Sequence, residues 1–160
     1  MQQHESTELE YVGFWARVGA SLIDTVLLLI IIMPLLAIIY GSAYWSSTDL
    51  VLGPAHAFFN YVFPAIVVVA LWIKISTTPG KRAVGAVIVD ARTGQRPSMG
   101  QFVIRYIGYY VSTIPLGLGF FWVGWDPRKQ GWHDKMAGTV VVRRKGGTTQ
   151  PVQFDESKRT

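Results

Sequence analysis

The 160 residues are 50% hydrophobic and only 16% charged, with a mean hydropathy of +0.29, whereas soluble domains carry charges at nearer a quarter of positions. This excludes an ordinary soluble fold, favours a membrane class and allows one domain by length. The lack of cysteine excludes disulfides, thiolate metal sites and a cysteine nucleophile, and leaves the redox compartment open.

A net charge of +5 would raise nucleic acid as a partner in a soluble chain, so its distribution matters. Residues 1 to 24 hold four acids and one base, residues 25 to 73 only Asp49, residues 74 to 105 six bases and one acid, and residues 126 to 160 eight bases and four acids. Lys and Arg are blocked around apolar runs, the pattern of cytoplasmic loops that flank membrane spans. With no recognised binding motif, nucleic acid is not an expected partner; the lipid bilayer is.

Residues 1 to 10 and 146 to 160 are polar, lack apolar periodicity and are expected as disordered tails around one membrane domain at 11 to 145. The first apolar segment, Arg17 to Ile39, would rise roughly 34 Å as a helix, enough for a hydrocarbon core of about 30 Å. Pro34 should bend it, and an acidic rather than basic leader makes it an uncleaved helix. Tyr40 to Gly53 lacks any base and suits an outer loop. The second segment, Pro54 to Ile75, opens with proline at a first helical turn and also spans. Tyr11, Phe14, Trp15 and Trp72 would form the inner aromatic belt, with Tyr40, Tyr44 and Trp45 outside.

Gln101 to Trp125 is interrupted at Ile114 to Gly119 by proline and glycine. One straight span would carry the basic C-terminus outside. It would also separate two short β-branched runs, Val84 to Asp90 and Thr139 to Arg143, which can pair only on one side of a membrane. An even number of crossings is needed, and 25 residues are too few for two more crossings of about 20 each. The expected fold is therefore an all-α integral membrane protein: two full transmembrane helices, a Pro/Gly-broken re-entrant helical hairpin or third span, and a small cytoplasmic two-stranded β element. Both termini are expected in the cytoplasm.

Asp24 lies seven positions beyond Arg17, roughly 10 Å deeper along the same helix. A carboxylate in the apolar layer costs about 2.5 to 3.5 kcal/mol on insertion scales, so it needs protein or water around it and a partner. Arg17, Ala20, Ser21 and Asp24 follow at spacings of three and four and make one polar stripe. A structural network and ion or proton handling are both open readings. Asp126 and Asp134, after the broken helix, are placed to meet Arg17 or Arg105, with a helix cap or solvated ion pair as the alternative. Of three histidines, His4 and His56 are remote from His133, which argues against a metal site. Thr78 to Arg82 superficially resembles a phosphate loop but lacks its first glycine and final hydroxyl. A turn, with bases against anionic headgroups, is expected instead. No serine stands in a nucleophile elbow and no acid/base carboxylate pair is apparent, so neither enzyme activity nor a cofactor is expected.

Three ordered blocks, YVGFWARVGASLID at 11 to 24, TPGKRAVGAVIVDARTGQRPSMGQFVIRY at 78 to 106 and PLGLGFFWVGWDPRKQGWHDKMAGTVVV at 115 to 142, resemble the RDD family of bacterial membrane proteins. The resemblance covers roughly Tyr11 to Arg144. It implies a family arginine at Arg17, a first aspartate at Asp24, and a second at Asp134 or Asp126. It further implies a bacterial inner-membrane location and transport, including exchange of a small cation for protons. Two spans and a partial one give little wall for an enclosed pathway, so transport would require a homo-oligomer or a larger partner. The competing reading is a non-transporting scaffold or regulatory subunit whose Arg/Asp network only fixes helix packing.

Overall fold

The computed structural model describes residues 9–144. Strand β1 (Leu9–Tyr11) leads into helix α1 (Phe14–Tyr40), and the short α2 (Ala43–Ser46) lies in the following loop. The second long helix, Pro54–Ile75, is continuous but not uniform: α3 (Pro54–Ala57), a π-helical turn at Phe58–Val62, and α4 (Phe63–Ile75). Then come α5 (Pro79–Ala83), strand β2 (Val87–Asp90), α6 (Met99–Thr113), α7 (Leu118–Phe121) with a 3-10 turn at Trp122–Gly124, α8 (Trp132–Ala137) and strand β3 (Thr139–Arg144).

Phe14–Tyr40 and Pro54–Ile75 are long and apolar enough to cross a membrane, and the pair α6 and Leu118–Gly124 would make a third span broken by a bend of 113°. Residues such as Leu22, Val26, Ile30, Ile66 and Leu118 face outward along these helices, as expected where lipid replaces water. Pro34 sits inside α1, and Gly41 ends that helix with φ 57°, its N–H donating to the Ala37 carbonyl at 2.9 Å. At the opposite end from the sheet, the Tyr40 hydroxyl accepts the His56 N–H at 3.0 Å and ties the two long helices together.

The sheet has three strands, in the order β1-β3-β2, with β3 antiparallel to both neighbours. This corrects the expected two-stranded element. Of the expected tail at 1 to 10, Leu9 and Glu10 instead pair with Arg144 and Arg143; residues 1 to 8 and the tail at 146 to 160 lie outside the described residues. Because side chains alternate across a strand, Ile88 and Val141, in register with each other, face the helices. There they join Val12, Trp72, Ala86 and Phe102 in the main core, while Tyr11, Ala91, Val140 and Val142 cluster on the other face. Trp72 is fully enclosed, with Phe102, Tyr106 and Tyr109 rings 5.6 to 6.4 Å away. Neither Trp72 nor the buried Tyr11 belongs to an interfacial belt; both are core residues. Ser98 caps α6 in a capping box with Gln101, whose side-chain amide also donates to Asp90 at 2.7 Å and fastens α6 to β2.

Candidate functional site: an arginine and aspartate network

The short helix α8 has Gly131 as its N-cap, so Asp134 stands in its first turn, where a carboxylate satisfies free N–H groups. Its Oδ2 accepts the Gly131 N–H at 2.9 Å. The same oxygen accepts Arg17 Nη1 at 2.6 Å, and Oδ1 accepts Arg105 Nη1. Asp134 is completely buried and Arg105 is 1% exposed. Arg17 also donates through Nε to the Val12 carbonyl at 3.0 Å and through Nη2 to the Lys129 carbonyl. Arg105 Nη1 reaches Thr139 Oγ1 at 2.8 Å. One carboxylate thus joins the start of α1, the middle of α6, α8 and β3. Burial alone would raise the Asp134 carboxyl, but Arg105 and Arg17 outweigh it and hold the group well below the usual carboxylate range.

His133 lies beside this carboxylate, Nε2 to Oδ2 3.4 Å, with Nδ1 3.3 Å from Ser112 Oγ. Burial pushes its imidazole down to about 3; Asp134 opposes this, while Arg105, Arg17 and Lys81 reinforce it. His133 is therefore neutral at physiological pH. It fits because Gly108 leaves room: a Cβ there would lie 2.7 Å from His133 Cα.

Asp24 is not part of this network. Its Oδ2 accepts the Thr78 hydroxyl and its Oδ1 the Gly80 N–H at 2.7 Å, so it binds the first turn of α5 and docks that helix on α1. A Cβ on Gly80 would lie 2.0 Å from the Ala20 carbonyl oxygen. Arg17 and Asp24, which share one polar stripe of α1, thus belong to two separate sites. Asp126 occupies a third: Lys135 Nζ pairs with its Oδ1, and the Arg128 and Gln130 N–H groups donate to Oδ2 at 3.1 Å. Burial would raise the Asp126 carboxyl, but Lys135 and those N–H groups hold it below its ordinary range. Of the residues singled out from sequence, Arg17, Arg105 and Asp134 come together; Asp24 and Asp126 do not join them.

The partners Thr78, Gly80, Gly131, His133 and Thr139 emerge only from the fold. Thr78 and Pro79 do carry a sequence signal, a hydroxyl N-cap followed by proline at the first helical position. Among the described residues no group of His, Asp or Glu is arranged to hold a metal ion.

A family model described as RDD family matches residues 11–138. The chain belongs to the RDD family. An uncharacterized protein of Rickettsia prowazekii is 36% identical over 75 residues, 47% of this RDD chain and 41% of that protein. The uncharacterized protein YxaI of Bacillus subtilis is 36% identical over 69 residues, 43% and 44% of the two chains. A proline-rich antigen homolog of Mycobacterium tuberculosis is 31% identical over 68 residues, 42% and 28% of the two chains. Each match spans less than half of the relative's length, and no solved structure matches.

Proposed function

We propose that this RDD-family chain is a non-enzymatic, multipass assembly or regulatory module of the bacterial inner membrane, whose Arg17–Asp134–Arg105 network fixes the helices for contact with a second copy or a larger membrane partner. The observation that carries this reading is the saturation of Asp134: it is fully enclosed, and both oxygens accept donors. A dry, paired network holds elements together, whereas an ion carrier needs oxygens that water or a passing cation can reach. The outward apolar sides of α1 and Pro54–Ile75 supply surface for lipid or partner helices.

The orientation proposed has the N-terminus, residues 76 to 100 and the C-terminus in the cytoplasm, and residues near 40 to 55 outside. Strands β1, β2 and β3 precede α1, follow α4 and follow α8 in turn, yet share one sheet. Paired strands must lie on one side of a bilayer, which supports re-entry by α6 and α7 rather than a third crossing. Single cysteines at Thr48, Gln95 and Met136 of this cysteine-free chain are expected to label from outside only at Thr48; external labelling at Met136 would overturn the re-entrant orientation.

The second reading is exchange of a small cation for protons by an oligomer. It is favoured by one observation: Asp24 remains partly exposed on the side of α1, where a second copy would enclose it. Proteoliposomes carrying a pH gradient separate the two readings. The assembly reading expects no alkali-cation-dependent dissipation above that of empty vesicles. Dissipation by wild type that is lost in Asp24→Asn would replace it with the transport reading.

A further inference from the structure

We propose that Lys81, Trp72 and Arg105, grouped around the ring of Tyr109, form a binding site for a phosphate-bearing anion at the sheet end of the helices. This goes beyond the assembly reading and does not rest on it. Trp72 is 0%, Arg105 1% and Lys81 9% exposed, so all three donors are buried. Yet Trp72 Nε1 and Arg105 Nε have no hydrogen-bond partner among the described residues. The Lys81 ammonium likewise has no carboxylate partner there: the ion pairs join Asp134 to Arg17 and Arg105, Asp126 to Lys135 and Glu10 to Arg143.

These groups are neighbours. The Lys81 ammonium lies 5.7 Å and the Arg105 guanidinium 5.4 Å from the Trp72 ring centre. Arg105 is 5.9 Å from the Tyr109 ring, and the Trp72 and Tyr109 rings are 5.6 Å apart. Cation–π contact offsets part of the cost of burying these charges, and the Tyr109 hydroxyl lies within reach of the Arg105 guanidinium, but Trp72 Nε1 and Arg105 Nε keep no acceptor. The local charge is also unbalanced. Arg17, Arg105 and Lys81 face the carboxylates of Asp134 and Asp24, and His133 is neutral, so one cation is in excess.

An anion accepting from Lys81, Arg105 and Trp72 would satisfy the orphan donors and the excess charge together. A phosphate has several charged acceptor oxygens, whereas chloride offers no directed set, and Arg with Lys is the pairing suited to it. Lys81 is the most exposed of the three, which marks the approach. Exposed Lys74 and Arg82 flank it on the last turn of α4 and on α5 and draw anions inward. A lipid headgroup diester and free inorganic phosphate present the same chemistry to these donors.

The test uses the full chain, delipidated in detergent. Native mass spectrometry reads retention of phosphatidylglycerol against diacylglycerol, which lacks the phosphate, and equilibrium dialysis reads binding of inorganic phosphate. Saturable binding of one phosphatidylglycerol per chain is expected, weakened at least about tenfold by Lys81→Gln, since a charge-assisted hydrogen bond is lost, and little changed by Arg92→Gln, an exposed base beyond β2. Saturable binding of inorganic phosphate alone, with the same dependence on Lys81, supports the site with free phosphate as its source. Binding of neither, or equal binding by wild type and folded Lys81→Gln, overturns the proposal and leaves the donors to water. Should Lys81→Gln not fold, Trp72→Phe, which keeps a ring and removes the N–H, decides by the same readout, with a loss of about threefold or more expected.

Discussion

Replacing Asp134 by Asn keeps the shape of the side chain and removes the charge that two guanidiniums share. Arg105 is 1% exposed and the Arg17 side chain 12%, so neither can recover its solvation by turning outward. Breaking a buried pair by removing one partner typically costs about 3 to 5 kcal/mol, because the remaining charge stays buried. The amide also presents N–H where Arg17, Arg105 and the Gly131 N–H all require an acceptor. For a chain of this size, a loss of about 3 to 5 kcal/mol corresponds to a fall of about 10 °C in Tm. Asp126→Asn provides the internal comparison. Its partner Lys135 is 45% exposed, and such pairs are worth about 1 kcal/mol or less. Thermal unfolding of both variants in the same detergent, followed by near-ultraviolet circular dichroism, is expected to place Asp134→Asn far below Asp126→Asn. An Asp134→Asn protein melting with wild type would refute the claim that this carboxylate locks the helices.

Three further outcomes are expected. Gly80→Ala places a methyl 2.0 Å from the Ala20 carbonyl oxygen and 2.9 Å from Asp24 Cγ, so α5 must lift from α1; a lower Tm is expected there, against no loss for Gly19→Ala, where a Cβ meets nothing within 4 Å. Arg17→Lys keeps the charge but cannot make the three separate donations to Val12, Asp134 and Lys129, and should destabilise by about 1 to 3 kcal/mol in the same melting assay. His133 should make the fold acid-sensitive. Its imidazole titrates near 3 when folded against an ordinary 6.5, so between those values the unfolded chain binds the extra proton and stability falls as pH drops, by about 2 kcal/mol at pH 5. His133→Asn should flatten that slope of Tm against pH; an unchanged slope would assign it to other groups.

The long apolar helices and their boundaries were legible because hydropathy over some twenty residues has few competing explanations. The partnership of Arg17 was not, and the reason is geometric. Arg17 and Asp24 share a helical face, but side chains on an α-helix lean toward its N-terminus. Arg17 therefore reaches back to the Val12 carbonyl and across to Lys129 and Asp134, away from Asp24, which lies further along. Spacing within one helix shows which residues share a face; it does not show what other elements bring to that face. Strand β1 was missed for a related reason: three residues in an acidic leader carry almost no periodic signal. Its pairing becomes visible only when Glu10 stands opposite Arg143.

Trp72 shows how position in a membrane sequence can mislead. A tryptophan in the last turn of a span, followed by Lys74, reads as an interfacial anchor. The chain instead returns through α5 and β2 and packs α6 against α4, so the same end of the helix becomes the centre of the core. The delivery of α8 to that core depends on the break between α6 and α7, where Leu116 adopts φ 53° and Gly117 φ 80° and the path turns by 113°. A straight continuation would carry α8 away, leaving Arg17 and Arg105 without Asp134. The proline and glycine of the break are readable as punctuation; their consequence, a carboxylate delivered to two arginines, exists only in three dimensions.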